Sequence, residues 1–347
     1  MVENLRTYSQ QLADPVFDDA AALVSHMGAV QAQDMTMSKW ALGIRLQQPS
    51  LTAVREAVDS GRIVRTHILR PTWHYVAAED VRWMLGLCAD RLRSAYRNSW
   101  WKHYEIDEKI YARFSDAVPK LLGGTDGLTV QELADALADY RWHADQVKCM
   151  LCFGEVDGLV CNGPERNRKN TYALLDERVP DTPDISKEEA WALLAGKYFR
   201  SHSPASPDDF AWWAGSSTTE AKAAINSIAG ELIADRYDGG KLYVHESCIR
   251  EAAPDREVHL LPPYDEYLIS YKDRSHVLDP KHSAKAHNNF GIFQPVILQN
   301  GKIAGNWKKK PKKGGIEIEA IPFDSKTKIN ARKLKAAEER YRNFLKE

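Results

Sequence analysis

The chain has no apolar run approaching the roughly 20 residues that a bilayer crossing requires. Its opening, MVENLRTYSQ, lacks the basic stretch and apolar core of a secretion signal. No membrane partner is expected, and the expected location is cytoplasmic. Cysteine is scarce and odd in number: Cys88, Cys149, Cys152, Cys161 and Cys248 do not read as a disulfide framework. Cys149 and Cys152 have the spacing of half a metal site, but they lie in the apolar run QVKCMLCFGEVDGLV and no second such pair follows. They read as small buried side chains, and neither a metal nor an organic cofactor is expected. Also missing are a phosphate-cradling glycine loop, a Ser/His/Asp set at any defensible spacing, and a lysine placed for lyase chemistry. Net charge is nearly absent as well, with 47 Lys and Arg against 48 Asp and Glu giving −1.

Beneath that near-neutral sum the charge is uneven. From Lys302 to Glu347 there are 14 Lys or Arg against 6 Asp or Glu, a local balance of +8. A solvated basic tail accounts for this, and a surface for phosphate is the functional alternative. The 347 residues suffice for two or three domains, and 44% hydrophobic with 27% charged content is that of a globular chain.

The same order of elements recurs three times: helices, then a polar turn between apolar strand-like runs. The clearest copy spans 203–247. There Asp208 to Ala214 reads as a short helix stopped at Gly215-Ser216-Ser217, and a second helix restarts at Thr218 with a Thr-x-x-Ala variant of a cap. Two strands follow, around Asp238-Gly239-Gly240. A second copy begins at Leu128, with Thr129 and Glu132 as a capping box. It runs through a helix over Lys148 to Phe153 and ends in a wing whose tip is the basic loop Arg166 to Lys169. In the first copy, helices near 18–27 and 50–59 precede RIVRTHILRPTWHYV, a hairpin turning near Arg70-Pro71. Helix, turn, helix and hairpin make a winged helix, a unit that binds duplex DNA or serves protein contacts.

Beyond about residue 256 the pattern changes. Asn300-Gly301 lies between alternating runs, the strongest short hairpin signal, with further strand near Gly315 to Ile321 and a charged helix from Asn330. The expected fold is α+β: three tandem winged helices over 1–100, 101–182 and 183–255, and a β-rich domain with a terminal helix over 256–347.

Two neutral amides stand out in GAVQAQDM, residues 28–35. Phe17, Ala20, Val24, Met27 and Gly28 recur at helical spacing, with Asp18 and Asp19 at the helix's positive end. Were the helix to continue, Gln31 and Gln33 would point about 200° apart. Extended backbone from Gly28 onward puts them on one side, so the helix is expected to end near Gly28 with both amides facing one cleft. On composition alone, such amides satisfy backbone groups at a helix end.

GAVQAQD, WALGIRL, RPTWHYVAAEDVRWML, GEVDGLVCNGP, DFAWWAGSS and LLPPYDEYLISYKDRS span nearly the whole chain in order. Together they resemble the bacterial winged-helix DNA glycosylases related to AlkZ and YcaQ. The resemblance implies three tandem winged helices with a β-rich C-terminal domain, and removal of alkylated bases, crosslinked ones included. It also implies a catalytic Gln-x-Gln or Gln-x-Asp motif, which falls on Gln31 and Gln33 and has the Gln-x-Gln form here.

The chemistry is consistent with that implication. Hydrolysing an N-glycosidic bond builds positive charge on the sugar, and most solutions use a carboxylate. Glutamine takes no proton at neutral pH, but it can orient water by accepting and donating hydrogen bonds. That help suffices where the leaving base already carries positive charge, as in N7-alkylguanine or N3-alkyladenine. Asp34 is the alternative base, although an extended chain turns it away from both amides. The expected activity is that of a monofunctional DNA glycosylase in base excision repair, acting on duplex DNA as a monomer. A non-catalytic winged-helix DNA-binding or regulatory protein is the alternative, followed by a protein-interaction scaffold.

Trp73 and His74 read as core-facing strand residues or as lining of the lesion cleft. Trp212 and Trp213 read as the core face of a helix. Tyr264-Asp265-Glu266-Tyr267 and Lys272-Asp273-Arg274 suggest ion pairing, with phosphate contact by Lys272 or Arg274 the alternative. Arg166, Arg168 and Lys169 in the wing, and Lys308 and Lys309 in the run Lys308 to Lys313, are further candidates for phosphate contact.

Overall fold

The computed structural model describes every residue except 1, 238–239, 250–253, 313–314 and 347. The chain divides into two compact units, Met1–Val54 with Trp191–Glu347, and Arg55–Ala190.

In the first unit the helix Ala20–Met27 starts where the Asp19 carboxylate accepts the Ala22 N–H at 2.9 Å. It ends at Gly28, whose φ of +78° few side chains tolerate. A Cβ there would also lie 3.2 Å from Lys197 Cβ and 3.4 Å from Trp213. The chain can therefore turn out of the helix, as the sequence suggests, into the extended pair Val30–Gln31. The next helix, Ser38–Gly43, receives the C-terminal helix Ala331–Lys346. Gly43 lets Phe344 approach so closely that a Cβ would meet its ring at 2.4 Å. Trp40 packs against both Tyr341 and Phe344 with ring centroids 5.1 Å away.

An antiparallel four-stranded sheet carries the C-terminal part, in the order Gly315–Pro322, Lys302–Lys312, Val296–Gln299, Val258–Leu261. Its central hairpin turns at Asn300 and Gly301, both at positive φ (+53° and +73°), as the Asn-Gly signal requires. Trp40 and Trp307 donate their indole N–H groups to the carbonyls of Leu260 and Leu261, each at 2.7 Å. The sheet and the helix Ser38–Gly43 are thereby joined.

Helix Pro207–Ala214, helix Thr218–Ser227 and the antiparallel strands Leu232–Tyr237 and Gly240–His245 follow in the order read from sequence. Two details differ. Ser217, not Thr218, caps the second helix, forming a capping box with Glu220. Trp213 is fully buried, but Trp212 remains 43% exposed and so is not a core residue. Most of the expected turn at Asp238-Gly239-Gly240 lies outside the described residues.

In the second unit the capping box of Thr129 and Glu132 opens the helix Val130–Ala136. The helix Ala144–Val156 follows, then the strand pair Val160–Asn162 and Tyr172–Leu174. The strands Ile63–His67 and Trp73–Ala77 pair antiparallel around residues 68–72, as expected from Arg70-Pro71. All five cysteines are free and buried.

Two outcomes follow for stability. Arg45 and Asp265 are buried and joined by two hydrogen bonds, at 2.7 and 2.9 Å. Replacing Asp265 by Ala leaves the guanidinium unpaired in the interior, and is expected to lower stability in urea by about 3–5 kcal/mol. Burial pushes the His26 imidazole down to about 4, below its ordinary 6.5. The unfolded chain therefore binds the extra proton first, so this contribution is present above pH 6.5 and is lost as pH falls toward 4. The urea midpoint of His26→Leu should fall less between those pH values than that of the unsubstituted protein; equal falls would show that His26 contributes nothing there.

Candidate active site

The segment after Gly28 is held by a carboxylate distant in sequence. Gln31 is buried, 3% exposed, and its backbone N–H donates to Glu266 Oε1 at 2.5 Å. Glu266 is fully buried in the short helix Glu266–Ile269. Its other oxygen accepts from Trp213 Nε1 at 3.2 Å and from the Ser270 hydroxyl. Three donors satisfy a carboxylate that would otherwise be costly to bury. His202 Nε2 stands 3.7 Å from the same oxygen. Burial holds the His202 imidazole below its ordinary pKa, although Glu266 pulls the other way, so it is neutral near pH 7.

Gln33 is placed differently from Gln31. Strand geometry stops at Gln31, and Gln33 lies in a bend, so simple alternation does not relate the two side chains. The bend has a local cause. Asp34 Oδ1 accepts the N–H groups of Thr36 at 3.0 Å and Met37 at 2.9 Å, and its carbonyl accepts Ser38 N–H at 2.8 Å, winding the chain toward the next helix. This occupies the alternative base, Asp34, with local structure. Gln33 is half-buried, and its amide oxygen is buried without a donor among the described residues. An unsatisfied buried acceptor costs about 1–3 kcal/mol, which singles it out chemically.

The basic strand reaches this segment. Lys309 Nζ lies 3.2 Å from Met37 Sδ and 3.5 Å from the Tyr341 hydroxyl, while its residue as a whole stays exposed. Lys308 is exposed beside it, and Lys313 of the same run lies outside the described residues. Burial and the nearby Asp34 charge both raise the Tyr264 hydroxyl above its ordinary pKa.

The ion pairing expected of the two C-terminal blocks forms with partners elsewhere in the chain. Asp265 pairs with Arg45 and Glu266 binds Gln31, while Lys272 pairs on the surface with Asp208 at 3.0 Å. Arg274 donates to the Leu268 carbonyl at 2.8 Å and lies over Trp212 and Phe293. The contact between the Gln31 backbone and Glu266 is one that sequence reasoning missed. Its only signal was an acidic pair between two tyrosines, which names no partner.

Within the second unit, His74 is fully buried, with Nδ1 2.9 Å from the Thr72 carbonyl. Trp73 is half-buried; its indole donates to Glu155 at 3.4 Å and lies under the Arg65 guanidinium. Arg166, Arg168 and Lys169 are exposed, and Arg166 pairs with Glu132. Cys152, and not Cys149, lies with His67 and Glu155, their ligand atoms within 4.8 Å of one another. Glu155 already bonds to His67 and Trp73, and burial raises the Cys152 thiol well above its ordinary value. Two of the three are thus joined by a hydrogen bond within the buried core.

A family model described as DNA glycosylase AlkZ-like matches residues 24–344. An interstrand DNA cross-link repair glycosylase of Streptomyces sahachiroi is 25% identical over 309 residues, covering 83% of this chain and 81% of the relative. The solved structure of the Streptomyces sahachiroi DNA glycosylase AlkZ shares the fold at a TM-score of 0.80, with 21% identity, over 99% of this chain and 95% of that one. No helix among the described residues is long and apolar enough to cross a membrane. With the family matched over nearly its whole length, this chain belongs to the AlkZ-like DNA glycosylases and is an enzyme of DNA repair.

Proposed function

We propose that the enzyme hydrolyses the N-glycosidic bond of cationic alkylated purines, N7-alkylguanine or N3-alkyladenine, in duplex DNA. The relative's name extends the proposal to interstrand crosslinks. The observation that carries it is the buried, donorless amide oxygen of Gln33, two residues from a Gln31 whose backbone is fixed by Glu266. Opened to the site when DNA binds, that oxygen accepts a hydrogen bond from the attacking water, and Gln31 completes its orientation. Water oxygen bonds to C1′ as the C1′–N bond breaks. The bonding pair passes into the cationic purine, which leaves neutral, and the proton of the water goes to solvent. Neither amide takes a proton, so an unmodified base, which is a poor leaving group, is spared.

In this reading the helix–helix–hairpin units are winged helices, divided as 1–100, 101–182 and 183–255 with the β-rich part over 256–347. The enzyme acts as a monomer without metal or cofactor. Arg166, Arg168, Lys169, Lys272, Arg274, Lys308 and Lys309 contribute phosphate contacts.

Three outcomes check this. Release of N7-methylguanine from a duplex should fall at least about 100-fold in Gln33→Ala and in Gln31→Ala; full activity in both would remove the motif from catalysis. Glu266→Gln keeps an acceptor but sets an amide N–H₂ among donors, so kcat should drop about tenfold or more with KM little changed. An unchanged kcat in that variant, if folded, would mean that Glu266 does not position the motif. Finally, Lys308→Ala combined with Lys309→Ala should flatten the dependence of log affinity on log salt by about 1–2, measured by fluorescence anisotropy. An unchanged slope counts against phosphate contact.

A further inference from the structure

We propose that Phe290 is a wedge that enters the base stack of duplex DNA beside the lesion; this rests on the glycosylase reading above. Phe290 is 90% exposed, more than any other large apolar side chain among the described residues, and Ile292 beside it is 42% exposed. The loop that displays it is braced. Asn288 Oδ1 accepts the N–H groups of Phe290 at 2.9 Å and Ile292 at 3.1 Å. Asn288 N–H donates to the Ile292 carbonyl at 3.1 Å, and Gly291 supplies the positive φ, +75°, that closes the turn. At its base the rings of His287 and Phe293 stack with centroids 5.2 Å apart. An apolar ring held out on a rigid turn gains nothing in the folded protein alone, because burial is what apolar surface favours.

The loop's position and surrounding charge indicate what the ring meets. Phe293, at its base, lies 6.4 Å from the ring of Tyr264, which stands two residues before Glu266, the carboxylate that holds the Gln31 backbone. The loop therefore springs from the same patch as the glutamine segment. Arg274 lies 5.1 Å from the Phe293 ring, and exposed Lys272 is two residues from Arg274. Cations around a projecting apolar tip match a polyanion with an apolar interior, and inserted Phe is a known way of parting a base step. A crosslinked base cannot leave the stack freely, whereas a wedge opens the step locally and lets water reach C1′ without extrusion.

The test uses the full chain and a duplex carrying 2-aminopurine next to a tetrahydrofuran abasic analogue, with binding followed by anisotropy and unstacking by 2-aminopurine fluorescence. The wild-type protein should raise the fluorescence severalfold on binding. Phe290→Ala should bind within about threefold, since phosphate contacts dominate affinity, yet give no rise, and Phe290→Leu should restore part of it. Release of N7-methylguanine by Phe290→Ala should drop about tenfold from duplex and remain unchanged from a single strand, where no stack needs parting. An equal fluorescence rise in wild type and Phe290→Ala, or no rise in the bound wild type, overturns the wedge while leaving glycosylase activity standing. A Phe290-dependent rise without base release from any alkylated DNA would support the wedge and sink the catalytic reading.

Discussion

The hydrogen bond from the Gln31 backbone N–H to the buried Glu266 carboxylate fixes the segment that carries the two proposed catalytic glutamines. It spans 235 positions in sequence. The same carboxylate binds Trp213 and Ser270, and its neighbour Asp265 binds Arg45, which in turn donates to Gln10 at 3.0 Å. Two adjacent acidic residues thus tie the N-terminal segment, the helix Pro207–Ala214 and the start of the β-rich part together. Burial makes these contacts obligatory, because either carboxylate without its donors would be expensive to keep in the interior.

The surroundings of the glutamines are consistent with chemistry performed without a strong base. Glu266 addresses a backbone N–H and two side-chain donors, Asp34 is engaged as a local cap, and His202 is held neutral by burial. The Arg45 charge is matched by Asp265. Ionisable groups thus surround the motif, but each is committed to structure. What is left uncommitted is the amide oxygen of Gln33, buried, polar and uncharged.

Much of the local structure was legible in the sequence because it is set by neighbouring residues. Gly28 ends its helix, Thr129 and Glu132 cap another, and Asn300-Gly301 turns a hairpin, since each depends on conformational preferences a few residues wide. The bend at Gln33 was harder to read: strand alternation and the capping pull of Asp34 compete there, and the cap wins. Partner choice was not legible. Asp265 and Glu266 could have paired with Lys272 and Arg274 close by in sequence; they bind Arg45 and Gln31 because packing of distant helices brings those groups into the interior. The exposure of Trp212 beside a buried Trp213 was likewise a matter of which helix face the rest of the chain covers.

The burial of every cysteine bears on the setting in which such an enzyme works. Burial pushes the Cys88 thiol up to about 11 and those of Cys149 and Cys161 up to about 12, so none of these three is a thiolate near neutrality. Electrophiles that alkylate purines also attack thiolates, the most nucleophilic groups a protein ordinarily offers. For the alkylated-purine substrates proposed above, such sheltered, protonated sulfur would leave this enzyme a poor target for the agents that create them, and its activity would outlast an exposure that marks the DNA.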